Sequence, residues 1–202
     1  MESKGNALEM ANLMYESGAF EYAAPEFILE SMPATDPNDT YFSSQWNLKN
    51  PTHPFSDINY VDVITNFTFP YINDIIVAVI DNGVYNGHDD LPLHNVSYNA
   101  HTGESSSGLY GDHGTMVAGI IGATTNNGRG IAGVASGARI MPVSICYTED
   151  GTTLGIPAST TTHFANAIRF AADNGARIIN NSWSFTTQSN IRDKQCYTIC
   201  SK

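Results

Sequence analysis

The stretch "NDIIVAVIDNGV" constrains the fold of this 202-residue chain more than any other. The run from Ile75 to Ile80 contains no polar residue, and Asp81 and Gly83 follow it closely. Half-exposed strands alternate apolar and polar residues, so an unbroken run of this length predicts a strand buried on both faces of a parallel sheet. The run is far shorter than the roughly 20 residues that a membrane helix needs. We therefore expect a buried strand here and no membrane span.

The segments that follow alternate between helix and strand patterns. Ala138 to Ile145 and "RIINNSWSF" predict two further strands. One helix is expected to begin near His113, and "TTHFANAIRFAADNGA" has apolar residues at helical spacing with Gly175 to close it. Strand, helix, strand, helix, strand is the order of an α/β fold, a parallel sheet with helices on both faces. Functional side chains are then expected at the carboxyl ends of the strands.

Charge and cysteine content limit the partners of the chain. Nine Lys plus Arg against 20 Asp plus Glu give a formal net charge of −11, so we expect no binding to nucleic acid or to an anionic membrane surface. Cys146, Cys196 and Cys200 are too few for a disulfide framework. No His or acidic cluster accompanies them at zinc-finger spacing, so no zinc site is expected. Free thiols, or one disulfide with a third free thiol, both stay open.

The first 40 residues have the pattern of a small separate unit. Residues 6 to 17 predict a helix with four apolar residues on one face, and Gly18 stands where a helix commonly ends. "AFEYAAPEFIL" predicts a strand broken by Pro25, and "SMPATDPNDT" predicts a linker. The first residues lack the basic start, apolar stretch and cleavage site of a secretory signal peptide. From about Tyr41 the composition is that of a larger fold.

Asp81 and His113 are the candidate catalytic residues. Asp81 ends the buried strand, and His113 opens "DHGTMVAGIIGA", where Met116, Val117, Ile120 and Ile121 predict a buried helix. Alone, each has a structural explanation as a turn residue or a polar residue at a helix start. Together they meet the needs of a serine hydrolase, in which an imidazole takes the hydroxyl proton and a carboxylate holds the other ring nitrogen.

The blocks around both residues resemble the subtilisin-like serine proteases. "VAVIDNGV" is similar to the aspartate block of that family, "HGTMVAGIIGATTNNGRGIAGVAS" to its histidine block and "ARIINNSWSF" to its substrate-binding strand. The resemblance implies a serine endopeptidase in which Asp81 orients His113, and His113 is the general base and acid. It also implies that Ser182, Trp183 and Ser184 bind an extended protein or peptide substrate.

The resemblance extends to the N-terminal segment. "ALEMANLMYESGAFEYAAPEFI" is similar to the tail of an α+β inhibitory prodomain, and "PNDTYFSSQWNL" to the start of a mature catalytic domain. It implies a prodomain tail over 1–32, a linker over 33–40 and the N-terminal part of a subtilisin-like peptidase domain over 41–202. The prodomain would be an intramolecular inhibitor, and the parent protein would be secreted or at the cell surface.

No cofactor is required by this interpretation, but a structural calcium ion is an open alternative. Asn126 and Asn127 fall in a loop that holds calcium in some members of the family. A polar loop without an ion explains the same two residues more simply, so the sequence itself predicts no metal site here.

Two departures from the family pattern concern activity. Ser184 and Phe185 stand where the family usually has glycine, and neither the Gly-Thr-Ser nucleophile motif nor the oxyanion asparagine motif occurs. After about residue 185 the sequence no longer fits the family, so we expect a truncated chain that is inactive by itself. The alternative is a catalytically inactive pseudo-protease or interaction fragment of the same fold. A nucleotide-binding α/β domain is disfavoured, because no phosphate-binding glycine motif follows Asp81.

Overall fold

A computed structural model describes residues 6–24, 35–53, 55–105, 111–145 and 160–183. The chain divides into two compact units, Met1–Ala34 and Thr35–Lys202. All three cysteines and Ser184 lie outside the described residues. Within the described ranges, no helix has the length and apolar character needed to cross a membrane.

The first unit contains helix α1 (Ala7–Glu16) in its described part. Asn6 begins it with a capping box, because its side chain accepts a hydrogen bond from the Glu9 N–H and the Glu9 carboxylate accepts one from the Asn6 N–H. Gly18 follows the helix with a φ of 67°, as expected for a terminating glycine. The strand predicted next is absent from residues 19–24, and the rest of that prediction lies outside the described residues.

The second unit is built on a parallel sheet, which has four strands in the described residues, in the order β2-β3-β1-β4. The strands are β1 (Ile76–Asp81), β2 (Tyr98–Asn99), β3 (Arg139–Ser144) and β4 (Ile178–Asn181). All six residues of β1 are buried. The prediction of a parallel sheet with a central strand buried on both faces is confirmed. The short strand β2 was not predicted, because two residues give no periodic pattern.

Helices α3 (Asp112–Gly122) and α4 (Thr160–Asp173) cover opposite faces of the sheet. Successive residues of a strand point to opposite faces. Ala78 and Ile80 pack in the cluster that contains α4, whereas Val77 and Val79 pack in the cluster that contains α3. A shorter helix, α2 (Tyr60–Asn66), belongs to a third cluster. The prediction of helices on both faces is confirmed.

Helix α3 packs on the sheet through its small residues rather than its large ones. Its buried residues are Gly114, Ala118, Gly119 and Gly122. Met116 and Ile120 are 61% and 55% exposed, so the expectation that they lie in the core is wrong. The reason is close contact, since a Cβ on Gly122 would lie 3.1 Å from Cδ1 of Ile140. Val117 and Ile121 are only partly buried against the same cluster.

Tyr60 links α2 to the segment that precedes β3. Its hydroxyl donates a hydrogen bond to the Gly133 carbonyl at 2.9 Å and lies 3.1 Å from Oγ1 of Thr125. Burial raises the pKa of Tyr60 above its ordinary value of 10.0, the hydrogen bond with Thr125 opposes the rise, and the negative charge of Asp39 adds to it. The folded state therefore holds the phenol proton more tightly than the unfolded chain does.

This shift predicts a loss of stability at high pH. The pKa of Tyr60 is higher in the folded state than in the unfolded chain. Its contribution to the free energy of unfolding is therefore complete below about pH 10 and is lost as the pH rises further. Tyr60→Phe should be less stable than the parent chain by about 1 kcal/mol at neutral pH, and the difference should narrow above pH 10. Urea unfolding of both proteins at neutral pH and above pH 10 measures this difference in the free energy of unfolding. Tyr41→Phe, at an exposed tyrosine, is the control, and a difference that stays constant with pH would contradict the prediction.

Candidate active site

Asp81 and His113 meet at the carboxyl end of β1. Asp81 is the last residue of β1, and His113 is the second residue of α3. Nδ1 of His113 lies 2.9 Å from Oδ1 and 3.0 Å from Oδ2 of Asp81. Asp81 is 5% exposed, whereas the side chain of His113 is 54% exposed. The carboxylate is therefore held inside the protein, and the imidazole remains accessible to solvent.

Contact through Nδ1 determines which imidazole nitrogen is available for chemistry. A carboxylate accepts a hydrogen bond from Nδ1–H, which favours the tautomer with a lone pair on Nε2. Within the part of the chain that the structure describes, the imidazole of His113 forms hydrogen bonds through Nδ1 alone. The Nε2 atom of such a ring can accept a proton from a hydroxyl group and later give it up, while the carboxylate stabilises the imidazolium. The pair has the geometry of a general base with its orienting acid.

The loop after β1 is hydrogen bonded to the first turn of α3. The Asn82 N–H donates to Oδ1 of Asp81 at 2.7 Å, and Oδ1 of Asn82 accepts from the Gly114 N–H at 2.9 Å. Oγ1 of Thr115 accepts from the Tyr85 N–H at 2.9 Å. These contacts join the end of the strand to the helix that carries His113.

Two glycines permit this close packing. A Cβ on Gly114 would run into the Gly83 carbonyl oxygen and would lie 3.0 Å from Cβ of Asp81. A Cβ on Gly111 would run into the Asn82 side chain. Because glycine has no Cβ, the loop and the helix can lie against each other here.

Ser182 and Trp183 directly follow β4, which is an edge strand of the described sheet. Ser182 is exposed, and its Oγ accepts a hydrogen bond from Nδ2 of Asn180 at 2.8 Å. Trp183 packs on Phe164 of α4, with ring centroids 4.1 Å apart. The structure therefore places two of the three predicted substrate-binding residues at the sheet edge. They directly follow Asn181, which pairs with Ile80 of the neighbouring strand β1.

The loop that contains Asn126 and Asn127 surrounds two buried carboxylates. Asp90 accepts hydrogen bonds from Nδ2 of Asn127 at 2.6 Å and from the Ile131 N–H at 3.3 Å. Asp39 accepts from the Asn126 N–H at 2.9 Å and the Asn127 N–H at 3.5 Å. Among the described residues, neither carboxylate forms an ion pair. Both negative charges are therefore balanced by neutral donors only.

The chemistry of this loop suits calcium better than a transition metal. The described ranges contain no group of three or more His, Cys, Asp or Glu side chains placed to hold a metal ion. A cation here would need amide or backbone carbonyl oxygens besides Asp39 and Asp90, and Ca²⁺ accepts such oxygen ligands. The sequence does not predict a role for either aspartate, because both are far from residue 126 in the chain and only the fold brings them to this loop.

Comparison with known proteins identifies the family. The sequence model of the subtilase family, peptidase S8, matches residues 73–198, which is more than half of the chain. The chain belongs to the subtilase family. The matched segment includes Asp81 and His113, and the resemblance inferred from the sequence blocks is confirmed.

The relatives of this subtilase are serine proteases. The chain is 33% identical over 187 residues to the thermophilic serine proteinase of Bacillus sp. (strain AK1), a match that covers 89% of this chain and 42% of the relative. Thermitase of Thermoactinomyces vulgaris is 39% identical over 104 residues, 51% of this chain and 35% of the relative. A calcium-dependent protease of Trichormus variabilis is 29% identical over 148 residues, a match that covers 70% of this chain and 20% of the relative. The chain thus spans less than half the length of each.

Proposed function

We propose that this chain supplies the aspartate and the histidine of a serine endopeptidase that cleaves peptide bonds through an Asp-His-Ser triad. The contact between Nδ1 of His113 and Asp81, 2.9 Å long, is the observation that carries the proposal. Asp81 orients the ring, and His113 takes the proton of the nucleophilic hydroxyl and gives it to the leaving amine. The Gly-Thr-Ser motif is absent from the 202 residues, so the proposal places the nucleophile outside this sequence.

The substrate in this proposal is an extended segment of a protein or peptide. Strand β4 is an edge of the described sheet, and extended peptides bind such edges through main-chain hydrogen bonds. Ser182, Trp183 and Ser184 would continue that edge toward the substrate. The packing of Trp183 on Phe164 supports the assignment, because it fixes the backbone where the strand ends.

The test is a chimaera in which residues 73–183 replace the corresponding segment of the thermophilic serine proteinase of Bacillus sp. (strain AK1). We expect it to hydrolyse peptide amides and its recipient serine to react with a fluorophosphonate, because the Asp-His pair is restored to a complete site. The 202-residue chain alone should do neither. A chimaera that folds, by circular dichroism, without turnover would contradict the proposal and support the pseudo-protease alternative. Labelling of a serine within the 202 residues would also contradict it.

The N-terminal unit fits the role of an inhibitor tail. We propose that 1–32 end an inhibitory prodomain, 33–40 form a linker and 41–202 form the N-terminal part of the peptidase domain. The division of the chain after Ala34 supports this organisation. The whole protein would then be secreted or held at the cell surface, where protein substrates are met.

We further propose that the loop around Asp39 and Asp90 binds a structural calcium ion. Two buried carboxylates without a cationic partner in the described residues cost folding free energy, and a divalent cation would offset that cost. Oδ1 of Asn127 lies in the same loop, where it accepts the Arg129 N–H. The name of the relative from Trichormus variabilis, a calcium-dependent protease, agrees with such an ion.

Calcium should therefore raise the thermal stability of the 202-residue chain. At a free concentration about 100 times the dissociation constant, one site that binds only the folded state adds about 2.7 kcal/mol. Asp90→Asn should abolish the calcium response, measured as the shift in Tm on adding calcium or a chelator. Asp89→Asn, at the neighbouring exposed residue, is the matched control and should keep it. An equal shift in both variants would mean that calcium binds elsewhere.

A further inference from the structure

Helix α3 has no capping side chain of its own. The residue at its N-cap is Gly111, which has no side chain to accept a hydrogen bond from the free N–H groups of the first turn. The N–H at the third helical position belongs to Gly114, and Oδ1 of Asn82 accepts its hydrogen bond at 2.9 Å from 32 residues earlier in the chain. An asparagine at an ordinary N-cap accepts from that same N–H. Asn82 thus does from the neighbouring loop what an N-cap residue does from within a helix.

The same residue also holds the carboxylate of the candidate pair. The backbone N–H of Asn82 donates to Oδ1 of Asp81 at 2.7 Å, and Nδ1 of His113 approaches both oxygens of that carboxylate. His113 directly precedes Gly114, the residue that Asn82 fixes through its side chain. One residue therefore contacts the acid through its backbone and the histidine-bearing turn through its amide.

The surrounding geometry leaves the Asn82 amide little freedom. A Cβ on Gly111 would run into its Oδ1, so the amide oxygen lies close against the start of the helix. The far end of the loop is held too, because the Tyr85 N–H donates to Oγ1 of Thr115, and that hydroxyl donates to the Gly111 carbonyl at 2.6 Å. The loop and the turn form one hydrogen-bonded unit with the amide at its centre.

We propose that Asn82 is a positioning residue that sets the distance between Asp81 and His113 by capping α3 across the chain. This inference rests on the proposed role of His113 as general base and deepens it. Asn82 acts through the two residues and touches no substrate. In an active chimaera, loss of the cap should lower kcat by about 10²-fold with little change in KM, the effect of a displaced catalytic group.

The direct experiment measures the imidazole itself in the 202-residue chain. With ¹⁵N-labelled histidine, NMR reports the Nδ1–H proton of His113 and its exchange with water. Asn82→Ala should make that exchange faster by about tenfold, because the turn loses its cap. Asn82→Asp keeps an acceptor oxygen and should preserve the signal. Asn66→Ala is the matched control, since it removes one asparagine side-chain hydrogen bond, to the Asp62 carbonyl, far from the pair.

Each outcome supports or overturns the proposal. An unchanged Nδ1–H signal in Asn82→Ala overturns it, as does an equal effect of Asn66→Ala. If Asn82→Ala fails to fold, Asn82→Asp decides, because a preserved signal supports the cap and a lost signal overturns it. Failure of the proposed function looks different, since the folded chimaera would then show no turnover, or would keep its turnover in His113→Ala, whatever the NMR spectra show.

Discussion

Replacing His113 by alanine in the proposed chimaera should lower kcat for peptide hydrolysis by about 10⁴- to 10⁶-fold, a range that comes from other serine proteases. Without the imidazole, the site should lose the Nε2 lone pair that takes the hydroxyl proton. Asp81→Asn lowers kcat by about 10⁴-fold, because an amide no longer holds Nδ1–H and the ring adopts the wrong tautomer. Burst-phase and steady-state assays on a chromogenic peptide amide measure both effects.

The matched control for these variants is His53→Ala. His53 lies on an exposed loop, and in the described residues it forms hydrogen bonds through its backbone N–H and carbonyl, so its ring should be dispensable. The kcat of the His53→Ala chimaera should equal that of the unchanged chimaera. A His113→Ala variant that retains most of its activity would show that another group is the base, provided that its Tm is unchanged.

Gly114→Ala in the 202-residue chain should cost about 3 kcal/mol of unfolding free energy. The added Cβ would run into the Gly83 carbonyl oxygen and would lie 3.0 Å from Cβ of Asp81, so either the loop or the helix must move. Backbone has no alternative rotamer by which to avoid this contact. The same movement should separate His113 from Asp81 and abolish turnover in the chimaera. Urea unfolding measures the first effect, and a peptide assay measures the second.

Gly119→Ala is the control in the same helix. Its nearest neighbour would be Cδ1 of Ile131 at 3.4 Å, the end of a flexible side chain. Alanine favours helix over glycine by up to about 1 kcal/mol, so this variant should be neutral or slightly more stable. Equal destabilisation at 114 and 119 would show that the helix rejects any side chain, and that the contact with Gly83 is not the cause.

The sequence predicts the meeting of Asp81 and His113 because both lie at element boundaries. A strand end and a helix start in consecutive βα elements fall at the same edge of a parallel sheet. The buried face of α3 was not predicted, because periodicity weighs large apolar residues such as Met116 and Ile120, whereas close helix packing selects glycine and alanine. In that helix, the stripe of smallest residues is the one in contact.

Other features escaped prediction because their partners are distant in the chain. Asp39 and Asp90 approach the loop at Asn126 only after the sheet and its connections are formed. Asn82 looks like an ordinary turn residue in the sequence, and its contact with Gly114 spans 32 positions. The short elements α2 and β2 give too few residues for a periodic pattern. Local patterns thus identify the acid and the base but not the residues that hold them in place.

The glycine and alanine stripe of α3 also bears on motion. At the first turn of the helix, Gly114 lies directly against the Gly83 carbonyl and Cβ of Asp81, so no long side chain separates the helix backbone from the loop after β1. Warming then excites little relative movement between them, so the separation of Asp81 and His113 should change little with temperature. The end of the strand and the start of the helix should therefore move together as one unit.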